Sequence, residues 1–309
     1  MADARVVLVL SENWTLVSPR DLPALVRVAV EAEQAGVDTV MLSEHVVLGR
    51  DSSASGVMAN PRDYAAPGNQ DPATPWPDSI VLASAIAAST TTLRVALAAV
   101  IAPLRHPLLL AKQLATLDLL AHGRLVVQPT VSWSEEEYRA LGVPFRRRGA
   151  ILDEQLEAMH AAWTRSPASF HGSHVSFDDV WLEPKPHRAG GPAMWFGGQS
   201  LHEALLRRIV RYGSGFHPFG SPTPAELDAL RGALSDAGRD PGSLELVGGI
   251  RGRFPDDRST ASIDEALEQV PPQLAAGYTA ICFKPSMYTD DPHAVPELCR
   301  HVVESIRKM

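Results

Sequence analysis

Eight short runs rich in β-branched and other apolar residues recur along the 309-residue chain, and each is followed by a stretch of helical length. This alternation is typical of βαβ units, in which a helix connects two parallel strands. Eight units in even succession predict a closed (β/α)8 TIM barrel, an α/β fold, formed by one domain over residues 1–309. The predicted strands are Arg5 to Leu10, Thr39 to Ser43, Leu93 to Ala99, Arg124 to Gln128, Ala193 to Gly197, Gly213 to Phe216, Leu244 to Ile250 and Thr279 to Phe283.

Local chemistry predicts where several helices begin and end. The segment 24–36 places Leu25, Val28 and Ala32 on one face and finishes at Gly36, a residue suited to the left-handed end of a helix. A hydroxyl followed three residues later by a glutamate fits the capping box, in which the two side chains satisfy free amides reciprocally. The pattern occurs at Ser134 and Glu137, Ser200 and Glu203, Thr223 and Glu226, and Ser262 and Glu265.

Two segments interrupt the alternation, one after the second strand and one before the fifth. They run from Arg50 to Pro77 and from Ser166 to Pro192. Long loops inside a compact domain are usually lids or binding loops, so we expect the first to lie over the mouth of the barrel. In the second, alternating residues on either side of Gly172 and Ser173 predict a small hairpin.

Charge and cysteine content exclude several classes of protein. The chain has 28 Lys and Arg against 36 Asp and Glu, a net charge of -8, which argues against a nucleic-acid-binding protein. Two cysteines cannot form a disulfide framework, and the N-terminus lacks the pattern of a secretory leader. No apolar run approaches the roughly 18 residues of a membrane span. We therefore expect a cytoplasmic protein with no membrane or nucleic-acid partner.

Polar residues collect where the predicted strands end, which is the face of such barrels that carries the chemistry. His45 follows the second strand, where an imidazole is placed to exchange protons with a bound ring, although a lone histidine is often structural. Trp133 follows the fourth strand and is placed to wall a ring-binding cleft. The remaining residues predict a positive mouth that contacts a substrate or an anion: Arg105, His217, Arg251, Arg253 and Lys284.

A strand-to-helix turn with two glycines follows the fifth strand, formed by Gly197, Gly198, Gln199 and Ser200. Glycines allow close approach of a ligand, and the N-terminus of a helix offers free amides to a phosphate. An ordinary tight turn before a capped helix explains the same residues equally well. His171 and His174 have the spacing of a ligand pair without a third ligand, so we predict no metal site.

A family resemblance rests on the run from His106 to Asp118 (HPLLLAKQLATLD) and on the following His122-Gly123-Arg124-Leu125. Together they resemble the signature of the bacterial luciferase-like oxidoreductases. The similarity extends in order from the second strand to the sixth, over more than half of the chain. Further agreement lies in Ser43-Glu44-His45, Glu136-Glu137-Tyr138, Leu141 to Phe145, Arg148-Gly149, Leu152-Asp153-Glu154, Pro184-Lys185-Pro186 and Phe196 to Ser200.

The resemblance implies a barrel, often dimeric, that binds FMN or the deazaflavin F420 across the mouth. The ring edge would face His45 as the catalytic residue. A non-prolyl cis peptide at about Ala99-Val100 would support the ring, and the phosphate would sit on the turn from Gly197 to Ser200. The resemblance therefore favours the phosphate interpretation of that turn.

The fourth strand departs from the family pattern. Members of the family usually carry three glycines before an aromatic residue, whereas this chain has Gln128, Thr130 and Ser132 before Trp133. These three side chains would either donate hydrogen bonds to the cofactor or substrate, or narrow the site. The residues that mark the F420-dependent sugar-phosphate dehydrogenases are also missing, which argues against that reaction.

Three functions agree with these features of the sequence. The segments from Pro103 to Pro107 and from Phe196 to Ser200 most resemble the F420-associated branch, so the first is hydride transfer between F420 and a small organic substrate, with His45 as proton donor. The second is a monooxygenase that receives reduced FMN from a separate reductase and uses O2, which Glu44 before His45 favours. The third is a non-catalytic flavin-binding protein, which the altered fourth strand favours.

Overall fold

Eight parallel strands form a closed barrel in the computed structural model, which describes residues 4–309. They follow the order β1-β10-β9-β8-β7-β4-β3-β2, and this confirms the predicted (β/α)8 barrel. Each barrel strand overlaps one of the eight predicted runs. The strands are β1 (Arg5–Val9), β2 (Thr39–Leu42), β3 (Arg94–Ile101), β4 (Leu125–Thr130), β5 (Ala168–His171), β6 (Ser176–Val180), β7 (Ala193–Phe196), β8 (Gly215–Phe216), β9 (Glu245–Gly249) and β10 (Ala280–Phe283).

Helices connect the barrel strands and begin mostly at the predicted signals. Thr223 and Glu226 form the complete capping box, and Gly36 follows the first helix with a φ of 89°. The capping box predicted at Ser200 is wrong, because the helix begins only at Glu203. The helices are α1 (Leu22–Gln34), α2 (Ser79–Ser89), α3 (Pro107–Leu120), α4 (Glu135–Ala140), α5 (Arg148–Thr164), α6 (Glu203–Tyr212), α7 (Pro224–Asp236), α8 (Ile263–Leu267), α9 (Val270–Ala275) and α10 (Val295–Arg307).

The chain divides into two compact units. We call Met1–Met41 with Ala193–Met309 the terminal unit, and Leu42–Pro192 the central unit. In the terminal unit, β1 lies between β2 and β10, so that Val7 is paired with both Thr39 and Cys282. All three side chains are buried there, as expected for strands of a parallel sheet covered on both faces. The single domain predicted from the sequence stays a prediction.

In the central unit, β3 and β4 pair in parallel with a break in register between Ala98 and Val100. A non-prolyl cis peptide bond joins Ala98 to Ala99, one bond before the predicted position. The cis bond and the break in register therefore lie near the end of the third strand, where the resemblance implied a cis peptide.

Both predicted insertions are present in the central unit. The first lies between β2 and α2, and the second carries the hairpin of β5 and β6, which pair antiparallel as predicted. Glu154 on α5 holds the hairpin, since its carboxylate accepts from the backbone N–H groups of Ser173 (2.9 Å), His174 (2.7 Å) and Val175 (3.3 Å). Partial burial opposes ionisation, but these donors outweigh it and lower the pKa of Glu154.

Several residues that carry the family resemblance stabilise helix ends. The guanidinium of Arg124 donates to the carbonyl oxygens of Ala87 (3.0 Å), Thr90 (3.0 Å) and Leu93 (2.5 Å) around the end of α2. Lys185 donates in the same way to Ala162 (2.8 Å) beside the end of α5. Such bonds satisfy the carbonyls that a helix leaves unpaired at its C-terminus. Among the helices of residues 4–309, none is long and apolar enough to cross a membrane.

Candidate functional site

His45 lies just beyond β2, inside the central unit, with 9% of its surface exposed. Its Nδ1 is 3.4 Å from Oε2 of Glu137, and its Nε2 is 3.4 Å from Nε2 of Gln70. The rings of Trp76 and Trp133 meet the imidazole edge-on, with centroids 5.1 and 5.5 Å away. The imidazole therefore has a polar partner at each nitrogen and an aromatic wall on two sides.

Glu137 is completely buried in the first turn of α4. Its Oε1 accepts from the backbone N–H of Val46 at 2.6 Å, and its Oε2 accepts from the hydroxyl of Ser132 at 3.2 Å. Its own N–H donates to Ser134 Oγ, which is the N-cap of α4. An ionised carboxylate only accepts hydrogen bonds, so a hydrogen bond between these two atoms places a proton on Nδ1 of His45.

Ser132 has a φ of 55°, in the left-handed region that favours glycine. The backbone at this position thus keeps a conformation suited to glycine, although the side chain departs from the family pattern. Its hydroxyl accepts from the Ser134 N–H at 3.4 Å and donates to Glu137. The substitution therefore adds a hydrogen bond to the partner of His45, and the predicted contact of Ser132 with a cofactor or substrate stays a prediction.

Glu44 and Arg105 form a buried ion pair with two parallel hydrogen bonds. Arg105 Nη1 donates to Oε1 of Glu44 at 2.7 Å, and Nη2 donates to Oε2 at 3.0 Å. Ser79 Oγ (2.8 Å) and the Ile101 N–H (2.7 Å) complete the carboxylate's partners. This geometry gives Arg105 a structural role that differs from the predicted anion contact, because Glu44 already neutralises its charge.

The other residues predicted on the third and fourth strands take different positions in the central unit. Ala99 and Val100 lie at the break in β3, Gln128 is buried within β4, and Thr130 ends that strand half-buried. Trp133 borders a cavity of about 260 Å³ whose lining includes three carboxylate side chains, so this part of the unit is acidic. The cavity is lined by Asp51, Pro67, Gly68, Trp133, Ser134, Glu135 and Glu136.

In the terminal unit, the turn from Gly197 to Ser200 follows β7. A methyl group at Gly198 would lie 3.1 Å from Leu205 Cδ2, so the backbone has little room for a side chain. The N-cap of α6 is His202, whose Nδ1 accepts from the Leu205 N–H at 3.3 Å. The N-cap of the helix therefore lies two residues beyond Ser200, the N-cap that the capping box predicted.

Four of the five residues predicted for a positive mouth belong to the terminal unit, and they differ in charge and in exposure. Burial lowers the pKa of His217 to about 4, so this side chain is neutral at pH 7. Lys284 is completely buried at the end of β10. Arg251 and Arg253 are exposed, and the backbone of Arg251 is held by hydrogen bonds with the Gln269 side chain. The contact of these four residues with a substrate or an anion stays a prediction.

Sequence reasoning missed the partners of His45. The sequence assigned Glu137 to a capping box with Ser134. The Ser134 hydroxyl does accept from the Glu137 N–H, but the Glu137 carboxylate contacts His45 and Val46 instead of the N-cap backbone. Gln70 lies in an insertion without periodicity, so no pattern marked it.

The family described as luciferase-like monooxygenase matches residues 5–279. The chain belongs to this family.

Among relatives of this luciferase-like chain, an uncharacterized protein of Mycobacterium tuberculosis is 38% identical over 160 residues, 50% of this chain and 55% of that protein. The FMNH(2)-dependent dimethylsulfone monooxygenase of Pseudomonas putida is 36% identical over 207 residues, 65% of this chain and 56% of that enzyme. The chain thus spans a little over half the length of the curated relatives it matches.

Solved structures share the fold. Monooxygenase RslO1 from Streptomyces bottropensis has a TM-score of 0.74 at 18% identity, over 97% of this chain and 98% of that one. The F420-dependent tetrahydromethanopterin reductase of Methanopyrus kandleri has a TM-score of 0.69 at 12% identity, over 98% of this chain and 99% of that one. At these identities the likeness concerns the barrel alone.

Proposed function

We propose that this chain is an oxidoreductase that uses reduced FMN and O2 to oxidise a small organic substrate, with His45 as the catalytic residue. The observation that carries the proposal is the buried His45 ring, bonded at Nδ1 by Glu137 and enclosed by Trp76 and Trp133. The name of the Pseudomonas putida relative, which matches 65% of this chain, supports FMN and O2 over F420.

The residues present fit a flavin-type cofactor in the central unit. The indole Nε1 of Trp76 is buried without a hydrogen-bond partner beside His45, so it is able to donate to a carbonyl of a bound ring. These residues are the ones we expect to hold the cofactor.

When bound, reduced FMN would supply two of the four electrons that reduce O2, and the substrate would supply the other two as one oxygen atom enters it and the other is released as water. His45 holds or moves a proton at Nε2, because Nδ1 is engaged by Glu137. Glu137 fixes the orientation of the ring, and it stabilises positive charge when the ring gains a proton. Trp76 and Trp133 exclude water from two sides of the imidazole, which strengthens these electrostatic contacts.

A second candidate is hydride transfer with F420 in place of FMN, the function that the sequence placed first. The segments from Pro103 to Pro107 and from Phe196 to Ser200 favour it. The buried polar surroundings of His45 serve either reaction, since both need a proton held beside a reduced ring. A non-catalytic flavin-binding protein is the third candidate.

Anaerobic titration of the full chain with reduced FMN and with reduced F420 separates the candidates. Because Trp76 and Trp133 contact His45, a ring bound there should quench tryptophan fluorescence. We expect saturable quenching by reduced FMN and little by F420. Quenching by F420 alone would contradict the proposal and support the second candidate. If the protein binds reduced FMN but does not change the rate at which O2 oxidises it, the result would support the third candidate, a non-catalytic flavin-binding protein.

We also propose a homodimer that receives reduced cofactor from a separate reductase. The relative named FMNH(2)-dependent supports the reductase, since its name specifies cofactor that is already reduced.

Apolar side chains that face outward support the dimer, including Val81 on α2 (70% exposed) and Leu109 on α3 (57% exposed). A monomer in light scattering at micromolar concentration would contradict the dimer. The cytoplasmic location stays a prediction.

A further inference from the structure

Gln70 is a buried residue in an insertion that otherwise consists largely of turns and coil. Only 3% of its surface is exposed. Its backbone is held at both ends by Ser52, because its N–H donates to the Ser52 carbonyl at 2.8 Å and its carbonyl accepts from the Ser52 hydroxyl at 3.2 Å. The side-chain amide therefore projects from a fixed point toward His45.

The proton on Nδ1 of His45 determines what Gln70 does. Glu137 accepts from Nδ1, so in the neutral ring Nε2 carries a lone pair and accepts hydrogen bonds. Nε2 of Gln70, an amide donor, lies 3.4 Å from that atom. The pair is consistent with a donor that faces an acceptor, and it holds the ring at the nitrogen that Glu137 leaves open.

Gln70 also has an unused acceptor. Its Oε1 is buried and has no hydrogen-bond partner among the described residues. Rotation of the terminal amide by half a turn exchanges Oε1 and Nε2, since the two groups are nearly equal in size. The oxygen would then face Nε2 of His45, and it would find a donor there only after the ring has gained a second proton.

We propose that Gln70 is a positioning residue that holds His45 in both of its charge states. Its amide donates to Nε2 of the neutral ring, and after rotation it accepts from Nε2–H of the charged ring. The titratable group in contact with the ring is Glu137, and the neighbouring Glu44 carboxylate is turned away to Arg105 and Ser79. The ring is thereby able to gain and lose a proton at a fixed position.

This role rests on the catalytic function proposed for His45, but its test needs neither cofactor nor substrate. Long-range ¹H–¹⁵N spectra of the uniformly labelled full chain report which ring nitrogen carries a proton. Signals of His45 are identified by their loss in His45→Gln. At high pH we expect the Nδ1–H tautomer, and on acidification we expect the Gln70 side-chain amide signals to shift together with those of the ring. An Nε2–H tautomer, or amide signals that stay fixed, would overturn the proposal.

Two variants test the contact directly. In Gln70→Glu the side chain accepts only, so the ring should become doubly protonated under conditions in which it is neutral in the wild type. In Gln70→Leu the tautomer set by Glu137 should persist, but the Nε2 signal should move toward that of an unbonded nitrogen. Gln113→Leu on α3 removes another glutamine whose Oε1 lacks a partner, and it should leave the His45 signals unchanged.

A negative result for the role of Gln70 is distinguishable from a negative result for the proposed function. If Gln70→Glu and Gln70→Leu both give the wild-type ring spectrum, Gln70 does not act on His45, whatever cofactor the protein binds. If Gln70→Leu does not fold, the response of Gln70→Glu decides alone, because glutamate has nearly the same shape.

Discussion

Nδ1 of His45 lies 3.4 Å from Oε2 of Glu137, and the carboxylate is completely shielded from solvent. The two residues are 92 positions apart in the chain, on the insertion after β2 and in the first turn of α4. Val46, which follows His45, donates to the other oxygen of the same carboxylate at 2.6 Å. One buried group thus fixes both the backbone beside His45 and the proton on its ring.

Replacing Glu137 by glutamine should slow the reaction without much effect on cofactor binding. The amide of Glu137→Gln no longer offers Nδ1–H a charged acceptor, so the tautomer and the orientation of the ring are lost. We expect the rate at which O2 oxidises protein-bound reduced FMN to fall by about 10²-fold, which is the usual effect of losing an acid-base group. Stopped-flow absorbance measures the rate, and fluorescence titration measures the affinity.

Glu136→Gln is the matched control for that variant. Its carboxylate bonds the Asp51 N–H at 2.7 Å and pairs with Arg139 at 3.6 Å, and no contact with His45 is among its bonds. Equal effects of the two substitutions would show that Glu137 acts only through local stability.

The ion pair of Glu44 and Arg105 should contribute strongly to stability. In Arg105→Met, the Glu44 carboxylate keeps Ser79 and the Ile101 N–H but loses its cation in a buried setting. Breaking such a pair costs about 3 kcal/mol in the free energy of unfolding. Urea unfolding measures this change. Arg139→Met removes an exposed arginine paired with Glu136 and should cost under about 1 kcal/mol, so similar losses would contradict the structural role of Arg105.

Two substitutions at Ser132 separate its backbone conformation from its hydroxyl. Ser132→Ala keeps a side chain at a φ of 55° and loses the bond to Glu137. Ser132→Gly loses the same bond but removes the steric cost of that conformation, which is about 1 kcal/mol. The glycine variant should therefore be the more stable of the two in urea unfolding. Greater stability of the alanine variant would show that the positive φ carries no cost here.

The neutral state of His217 predicts a dependence of stability on pH. Burial lowers its pKa from 6.5 to about 4, so between these values the unfolded chain binds a proton that the folded chain does not. The stabilisation from the neutral ring is therefore fully present above pH 6.5 and is lost as the pH falls toward 4. His217→Phe keeps an aromatic ring against Trp195 and should show a smaller loss of stability over this window. An equal loss in both proteins would contradict the low pKa.

The barrel was predictable because its signals are local. Each strand run and the complete capping box of Thr223 and Glu226 depend on residues close in sequence, and the hairpin follows from alternation around Gly172. The side-chain contacts of His45 in the candidate site join residues that are far apart in the sequence. Glu137 reaches His45 across 92 positions, and Gln70 reaches it from a segment with no regular pattern.

The charges that two of the predicted contact residues present also depend on distant neighbours. Arg105 and His217 are basic in sequence, but Glu44 neutralises the first and burial keeps the second uncharged. Both effects depend on neighbours that the fold brings together, and the residue types themselves do not indicate them. The position of Ser132 was identified as a departure from the family pattern, whereas the direction of its hydroxyl toward Glu137 required the structure.

A double-mutant cycle on His45 and Glu137 measures whether the two side chains act as one unit. The measured quantity is the rate of oxidation of bound reduced FMN by O2 in the wild type, His45→Gln, Glu137→Gln and the double variant. We predict that the double variant loses no more than His45→Gln alone, since Glu137 acts through the ring. Losses that multiply would show that the residues act independently and would contradict this account.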